Sequence, residues 1–305
     1  MTMKLGLHIP LEFFTPTQAV ECAQHADSTG LEMVVVNDHL FLPWTRHASD
    51  SWTVLAAMAS STKTIRLGPC VTPLPLRHPF IVAKLSAAVD QLSQGRLIMG
   101  VGAGWFRNEF DSINAPYLKL AERLAQTEEA MRLLRELWVN PSVVFKGQYY
   151  NIDGLSLKPK PVQKPHPPFF LGGNSKTILS LTAKYGEGWM PFSPSLADLT
   201  HRVKLIGKFL RNERRSLDEI QIIPSIPLQL GKDKKRAFQQ LPAYLKAIRA
   251  SGFNYILGSP TECVKQIQAY MEAGATQIIL RLVNPPQAAA HIQTIADEIR
   301  PLLSP

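Results

Sequence analysis

The sequence predicts an α/β protein, a (β/α)₈ TIM barrel with insertions after the fourth helix and the seventh strand. Short β-branched or aliphatic runs alternate with amphipathic helical stretches almost from end to end, the pattern of a parallel sheet covered by helices. Eight strand–helix units can be counted, and neither a composition break nor a Ser/Gly-rich linker divides the 305 residues. A doubly wound open sheet shares the alternation and is the alternative. The unbroken run of eight units favours closure and one domain over 1–305.

The first strands are read at Lys4–Ile9, Met33–Val36 and Ile65–Val71, where aliphatic side chains crowd into runs too short for buried helices. Leu97–Val101, Phe169–Leu171 and Gly188–Pro191 follow, and Ile220–Leu230 and Gln277–Val283 complete the set. The helical stretches between them are Pro16–Thr29, Trp52–Ser60, Pro79–Leu92, Leu120–Trp138, Ser175–Tyr185, Leu196–Arg214 and Thr261–Ala273, with a closing helix over Gln287–Leu303. Two regions exceed a bare barrel. The aromatic alternation of FKGQYYNI, Phe145–Ile152, reads as a hairpin, and the prolines of LKPKPVQKPHPP keep the chain after it extended. Lys232–Gly258 reads as a helical insertion over the C-terminal face, where loops of this fold build active sites.

Composition narrows the function classes. At 45% hydrophobic and 19% charged residues the chain can bury a large core. No apolar run reaches the roughly 20 residues of a membrane span, and MTMKLGLHIP lacks a signal-peptide pattern, so a cytoplasmic protein is expected. Cys22, Cys70 and Cys263 are far apart and form no CxxC pair, which argues against a disulfide framework and a metal site. The net charge of +9 is scattered. Its densest cluster, Lys232–Arg236, lies in a loop, so a basic rim facing an anionic cofactor is a sharper reading than nucleic-acid binding.

Four segments could carry chemistry. Asn37, Asp38 and His39 follow directly on the second strand, which puts them at the rim where barrel enzymes collect catalytic groups; an imidazole there can donate or accept a proton near neutral pH. In LGPCVTPLPLRHP the third strand runs through Cys70 and Val71 into a proline-constrained loop. Gly100, Gly102 and Gly104, with Ala103 among them, remove side chains where the fourth strand reaches the rim, so that a flat ring or a phosphate could approach the backbone. No GxGxxG dinucleotide fingerprint is present. Gly172, Gly173, Asn174 and Ser175 join a buried strand to a helix N-terminus, where free amides can cradle a phosphate or where Asn174 or Ser175 simply caps the helix.

Taken together, DHLFLPW, TKTIRLGPCVTPLPLRHP, LSQGRLIMGVGAGWFRNEF, FFLGGNSKTI and YGEGWMP resemble the bacterial luciferase-like monooxygenase superfamily, and within it the enzymes that use the deazaflavin coenzyme F420. The resemblance covers nearly the whole chain. It implies a cofactor across the barrel mouth, with Asp38 and His39 beside the ring, Cys70 and Val71 behind it, and Gly172, Gly173, Asn174 and Ser175 on the phosphate. It also implies a non-proline cis peptide at Cys70–Val71. Trp105 stands where some sugar-phosphate dehydrogenases of the family carry a glutamate, which disfavours a sugar-phosphate substrate and suggests an apolar or planar one. Asn108 matches a polar position on the cofactor side, whereas Glu109 is expected to serve the following helix or a salt bridge.

The expected catalytic set is therefore His39, Asp38, Trp105 and Asn108. The expected cofactor contacts add Cys70, Val71, Gly102, Ala103, Gly104 and Gly172–Ser175, with Arg77, Arg107 and Lys176 as candidates for an anionic tail. The implied function is hydride transfer between F420 and a small organic substrate. An FMN-dependent monooxygenase is the rival within the family, and a non-catalytic flavin-binding protein the rival outside it. Dimers are common among relatives, and a homodimer is the assembly considered. An aldolase or isomerase is disfavoured, since no strand-end lysine suits a Schiff base.

Overall fold

The computed structural model describes residues 4–249 and 252–303. Its strands in chain order are β1 (Lys4–Ile9), β2 (Met33–Val36), β3 (Arg66–Pro69), β4 (Thr72–Pro73), β5 (Met99–Gly102), β6 (Val143–Lys146), β7 (Asn151–Leu155), β8 (Phe169–Leu171), β9 (Gly188–Trp189), β10 (Gln221–Ile222), β11 (Ser225–Leu230), β12 (Ile256–Gly258) and β13 (Gln277–Leu282). With β3–β4 and β10–β11 each taken as one interrupted strand, eight parallel strands form a circuit. Strand β1 pairs with β2 and β13; β2 pairs with β3, β4 with β5, β5 with β8, β8 with β9, β9 with β10, and β11 with β13. Bridges Leu67–Leu97 and Phe192–Ser225 join the two arcs of the circuit. The ladders return to their start, as in a barrel.

The helices are α1 (Pro16–Ser28), α2 (Ser51–Ser61), α3 (Pro79–Leu92), α4 (Arg107–Ser112), α5 (Leu120–Val139), α6 (Lys176–Tyr185), α7 (Leu196–Asn212), α8 (Lys234–Gln240), α9 (Ala243–Arg249), α10 (Pro260–Glu272) and α11 (Ala288–Thr294). Local chemistry fixes their starts. Thr15 and Gln18 close a capping box on α1, Ser259 and Glu262 close one on α10, and Pro16, Pro79 and Pro260 occupy first-turn positions where no backbone N–H is needed.

Alternation along the strands sorts the core. Met33 and Val35 point into the barrel with Ile98, Phe170, Met190, Ile223 and Ile279, while Val34 and Val36 face the surrounding helices. Cys70 and Val71 pack on the interior cluster. Strands β3 and β5 approach closely because both carry glycine. A Cβ on Gly68 would lie 2.1 Å from the Ile98 carbonyl oxygen, and one on Gly100 would lie 1.8 Å from that of Pro69.

Several expected elements are corrected. The third strand breaks at Cys70–Val71, where the peptide is cis. The seventh breaks before Pro224, which has no N–H to give to a ladder. The hairpin stands at β6–β7, and the prolines after it include cis Pro159 and Pro165. The insertion at Lys232–Gly258 is helical only through α8 and α9, with residues 250–251 outside the described ones, and ends in β12, which adds to β11. Helix α4 was not expected. The closing helix splits into α11, a π turn at Ile295–Ile299 and a 3₁₀ segment at Arg300–Leu303.

One tie makes a pH-dependent prediction. The Asp27 carboxylate, at the end of α1, accepts hydrogen bonds from the amides of Lys63, Thr64 and Ile65 and from the Thr64 hydroxyl at 2.6–2.9 Å. Burial opposes its ionisation, but these bonds outweigh it and hold the acid at about 2. A depressed acid stabilises the fold above its unfolded pKa of roughly 4, and that contribution is lost as pH falls through the folded value. The stability gap between wild type and Asp27→Asn, measured by urea unfolding, should be full at neutral pH and narrow between about pH 4 and pH 2.

Candidate active site

At the C-terminal rim, His39 leaves β2 with its side chain 19% exposed and its Nδ1 against the Glu109 carboxylate, at 3.0 and 3.1 Å from the two oxygens. Glu109 lies on α4 with its side chain 2% exposed, and its Oε1 also accepts from the Leu40 amide at 2.7 Å. An ionised carboxylate can only accept, so Nδ1 carries the hydrogen and Nε2 is left as the exchangeable site. Among the described residues Nε2 makes no hydrogen bond. Trp105 meets the imidazole edge-on, with ring centroids 5.9 Å apart, and is 56% exposed. Asn108, one residue before Glu109 on α4, faces solvent and makes no hydrogen bond among the described residues.

Asp38 is buried and fully engaged. Its Oδ2 accepts from the Thr72 hydroxyl at 2.8 Å, and Arg77 grips both oxygens at 2.7 and 3.2 Å. The carboxylate thus fastens the segment just after Cys70–Val71 to the end of β2. Arg77, expected from the sequence as a contact for the cofactor tail, is instead committed to this pair and to Asp50 at 3.5 Å. Arg107 is likewise paired with Asp111, while Lys176 is exposed at the start of α6.

Val71 explains two of the glycines. A Cβ on Gly102 would meet a Val71 methyl at 2.6 Å and one on Gly172 would meet its methyls at 2.8 and 2.9 Å, so the missing side chains make room for Val71. Cys70 is half-buried beside it, and burial pushes its thiol up to about 12, against the pull of Arg281. Ala103 is buried, and its carbonyl accepts from Arg123; Gly104 holds a φ of +70°, with Phe110 in the space a Cβ would need.

At the head of α6, Ser175 Oγ accepts from the Ile178 amide as N-cap. Gly173 has a φ of +121°, which disfavours any side chain, and both it and Asn174 are exposed. The Asn174 carbonyl accepts from Arg202. The first amides of α6 have no preceding carbonyl to bond, so an anion can take them.

A second group of rim residues escaped the sequence reading. His8 on β1 and Arg281 on β13 are register partners. Arg281 donates to His8 Nε2 at 3.1 Å, so that nitrogen must accept, and Nδ1 gives its hydrogen to the Ser225 hydroxyl at 2.9 Å. Burial and then the charge of Arg281 hold His8 well below the usual histidine range, so it is neutral. Arg281 also pairs with Glu12 at 2.6 Å. The available signal was a polar residue next to the C-terminal end of a mostly apolar strand, His8 in KLGLHI and Arg281 in QIILRL.

No helix among the described residues is long and apolar enough to cross a membrane. An F420-dependent glucose-6-phosphate dehydrogenase of Gordonia bronchialis is 33% identical over 310 residues, covering 91% of this chain and 90% of that protein. An FMNH(2)-dependent dimethylsulfone monooxygenase of Pseudomonas putida is 31% identical over 154 residues, 50% of this chain and 42% of its own. An F420-dependent secondary alcohol dehydrogenase, solved with an F420–acetone adduct, has the same fold, with a TM-score of 0.88 over all of both chains at 23% identity. Residues 3–255 match the model of the luciferase-like monooxygenase family, and the chain belongs to that family.

Proposed function

We propose that this protein is an oxidoreductase that moves a hydride between coenzyme F420 and a small organic substrate, with His39 as its acid–base group. The observation that carries the reading is His39 itself, held through Nδ1 by a buried carboxylate and left with a free Nε2 at the barrel rim. The surroundings fit a flat ring with a phosphate tail. Cys70 and Val71 form an apolar floor on the interior cluster, and exposed Gly173 with the head of α6 offers amides to a phosphate.

When bound, F420 supplies a ring carbon that accepts or returns a hydride. His39 handles the proton. In the oxidative direction Nε2 takes the hydrogen of a substrate hydroxyl while the adjacent C–H pair leaves as hydride, so alcohol becomes ketone and His39 passes the proton to solvent; reduction reverses each transfer. Glu109 steadies the imidazolium, Asp38 fixes the Cys70–Val71 floor through Thr72, and Trp105 walls the His39 side of the mouth. Asn108 is proposed as a cofactor-side contact on the strength of the family resemblance alone.

FMN-dependent oxygenation is the second reading, supported by the Pseudomonas putida relative. A pair of reactions separates the two. Anaerobic mixing with oxidised F420 and a panel of secondary alcohols should bleach the F420 absorbance. No bleaching there, with an oxygenated product formed in a parallel aerobic reaction only when enzyme and reduced FMN are both present, supports oxygenation instead.

A further inference from the structure

Where β11 and β12 end, α8, α10 and α11 border an open cleft of about 350 Å³, within the size range of small-molecule sites. It shares no lining residue with the candidate active site. His291 and Thr294 of α11 and Glu298 of the π turn that follows line it together, and such turns concentrate at functional sites. Gln240, at the end of α8, and Gln287 complete its polar lining, and Leu230 and Pro260 give it an apolar part. Gly231 lets α8 sit close, since a Cβ on it would fall 2.8 Å from the Ala237 amide nitrogen.

His291 is 6% exposed, and its Nδ1 is buried without a hydrogen-bond partner. Buried polar atoms in a native fold find partners, so this nitrogen calls for one. Burial lowers the imidazole to about 4, so the ring is uncharged at neutral pH and Nδ1 is able to accept. The two glutamines are oriented by a backbone group. The Leu230 carbonyl can only accept, so Gln229 turns its Nε2 to it at 2.9 Å, and the same nitrogen donates to Gln287 Oε1 at 3.0 Å and, more distantly, to Gln240 Oε1 at 3.4 Å. Asn284 Nδ2 also donates to Gln287 Oε1, at 3.0 Å. Both glutamines thus spend their oxygens on the protein. Their Nε2 groups make no hydrogen bond among the described residues and are left to donate.

Glu298 is the one charged residue of the lining, and among the described residues no basic side chain lines the cleft. An anion there meets a repelling carboxylate and no countercharge. A primary ammonium has three hydrogens to give, and the Glu298 carboxylate, His291 Nδ1 and the Thr294 hydroxyl can each accept one. A carbonyl on the same molecule takes the hydrogens of Gln287 and Gln240, and an aliphatic group packs on Leu230 and Pro260. We infer that this cleft is a second binding site, for a small primary-ammonium compound with an uncharged carbonyl and a short aliphatic chain, the chemistry of an amino-acid amide.

Calorimetric titration of the full chain without cofactor tests this with L-leucinamide as the probe. N-acetyl-L-leucinamide, which lacks the ammonium, and isovalerate, an anion of similar bulk, are the comparisons. Leucinamide should saturate at about millimolar concentration and bind at least about tenfold more tightly than either. Glu298→Gln, an exposed change, should weaken it about tenfold, the loss of one charge-assisted hydrogen bond. His291→Phe, which keeps a ring and removes both nitrogens, should also weaken it about tenfold.

Leucinamide that fails to saturate, that binds no better than its acetylated form or isovalerate, or that is indifferent to Glu298→Gln or to a folded His291→Phe overturns the inference. Should His291→Phe fail to fold, Glu298→Gln still decides.

Discussion

Replacing His39 by alanine should lower turnover by about 10²–10⁴-fold while F420 affinity changes only a few-fold, since the imidazole is assigned to proton transfer and the floor and α6 to holding the cofactor. Stopped-flow reduction of F420 together with equilibrium binding separates the two quantities. Glu109→Ala should fall between wild type and His39→Ala, because it leaves the base in place but frees its ring and leaves the Leu40 amide unpaired. A His39→Ala enzyme with wild-type turnover would remove the histidine from the chemistry.

The largest stability effect is expected at Gly100. A Cβ there would fall 1.8 Å from the Pro69 carbonyl oxygen and 2.9 Å from the carbonyl carbon, both backbone atoms of the neighbouring strand. Relief requires β3 to move off β5, which would disturb the Cys70–Val71 floor as well as the ladder. Gly100→Ala should cost at least about 3 kcal/mol, the upper end of overpacking penalties, read as a fall in the urea midpoint. Gly207→Ala is the control. Inside α7 its Cβ would meet nothing closer than the Arg211 guanidinium at 3.9 Å, and replacing a helical glycine should stabilise by up to about 1 kcal/mol. Equal losses at both positions would contradict the steric account.

The strands and the rim position of Asp38 and His39 were legible because side-chain alternation and strand ends are local properties of the chain. What the glycines do was less so. Spacing alone suggested backbone laid bare for a ligand, whereas Gly102 and Gly172 accommodate Val71, a contact set by three strands meeting. Glu109 was read as serving the following helix or a salt bridge with no partner named, since its pairing with His39 depends on α4, a six-residue helix too short to announce itself, lying against the end of β2. The Arg281–His8–Glu12 group was hidden for a plainer reason. Its members stand 269 and 273 positions apart and meet only when the last strand closes on the first. Strand β12 was missed because an insertion carries no periodicity of its own.

The central claim is that this rim holds a deazaflavin over Cys70–Val71 with its phosphate at the head of α6. Fluorescence titration of the full chain with oxidised F420 and, separately, with FMN tests it most directly, alongside Gly173→Val at the α6 head. Saturable F420 binding that FMN does not displace, weakened at least about tenfold in Gly173→Val, is the predicted result. Tight FMN binding with none for F420, or F420 affinity indifferent to Gly173→Val, would contradict it.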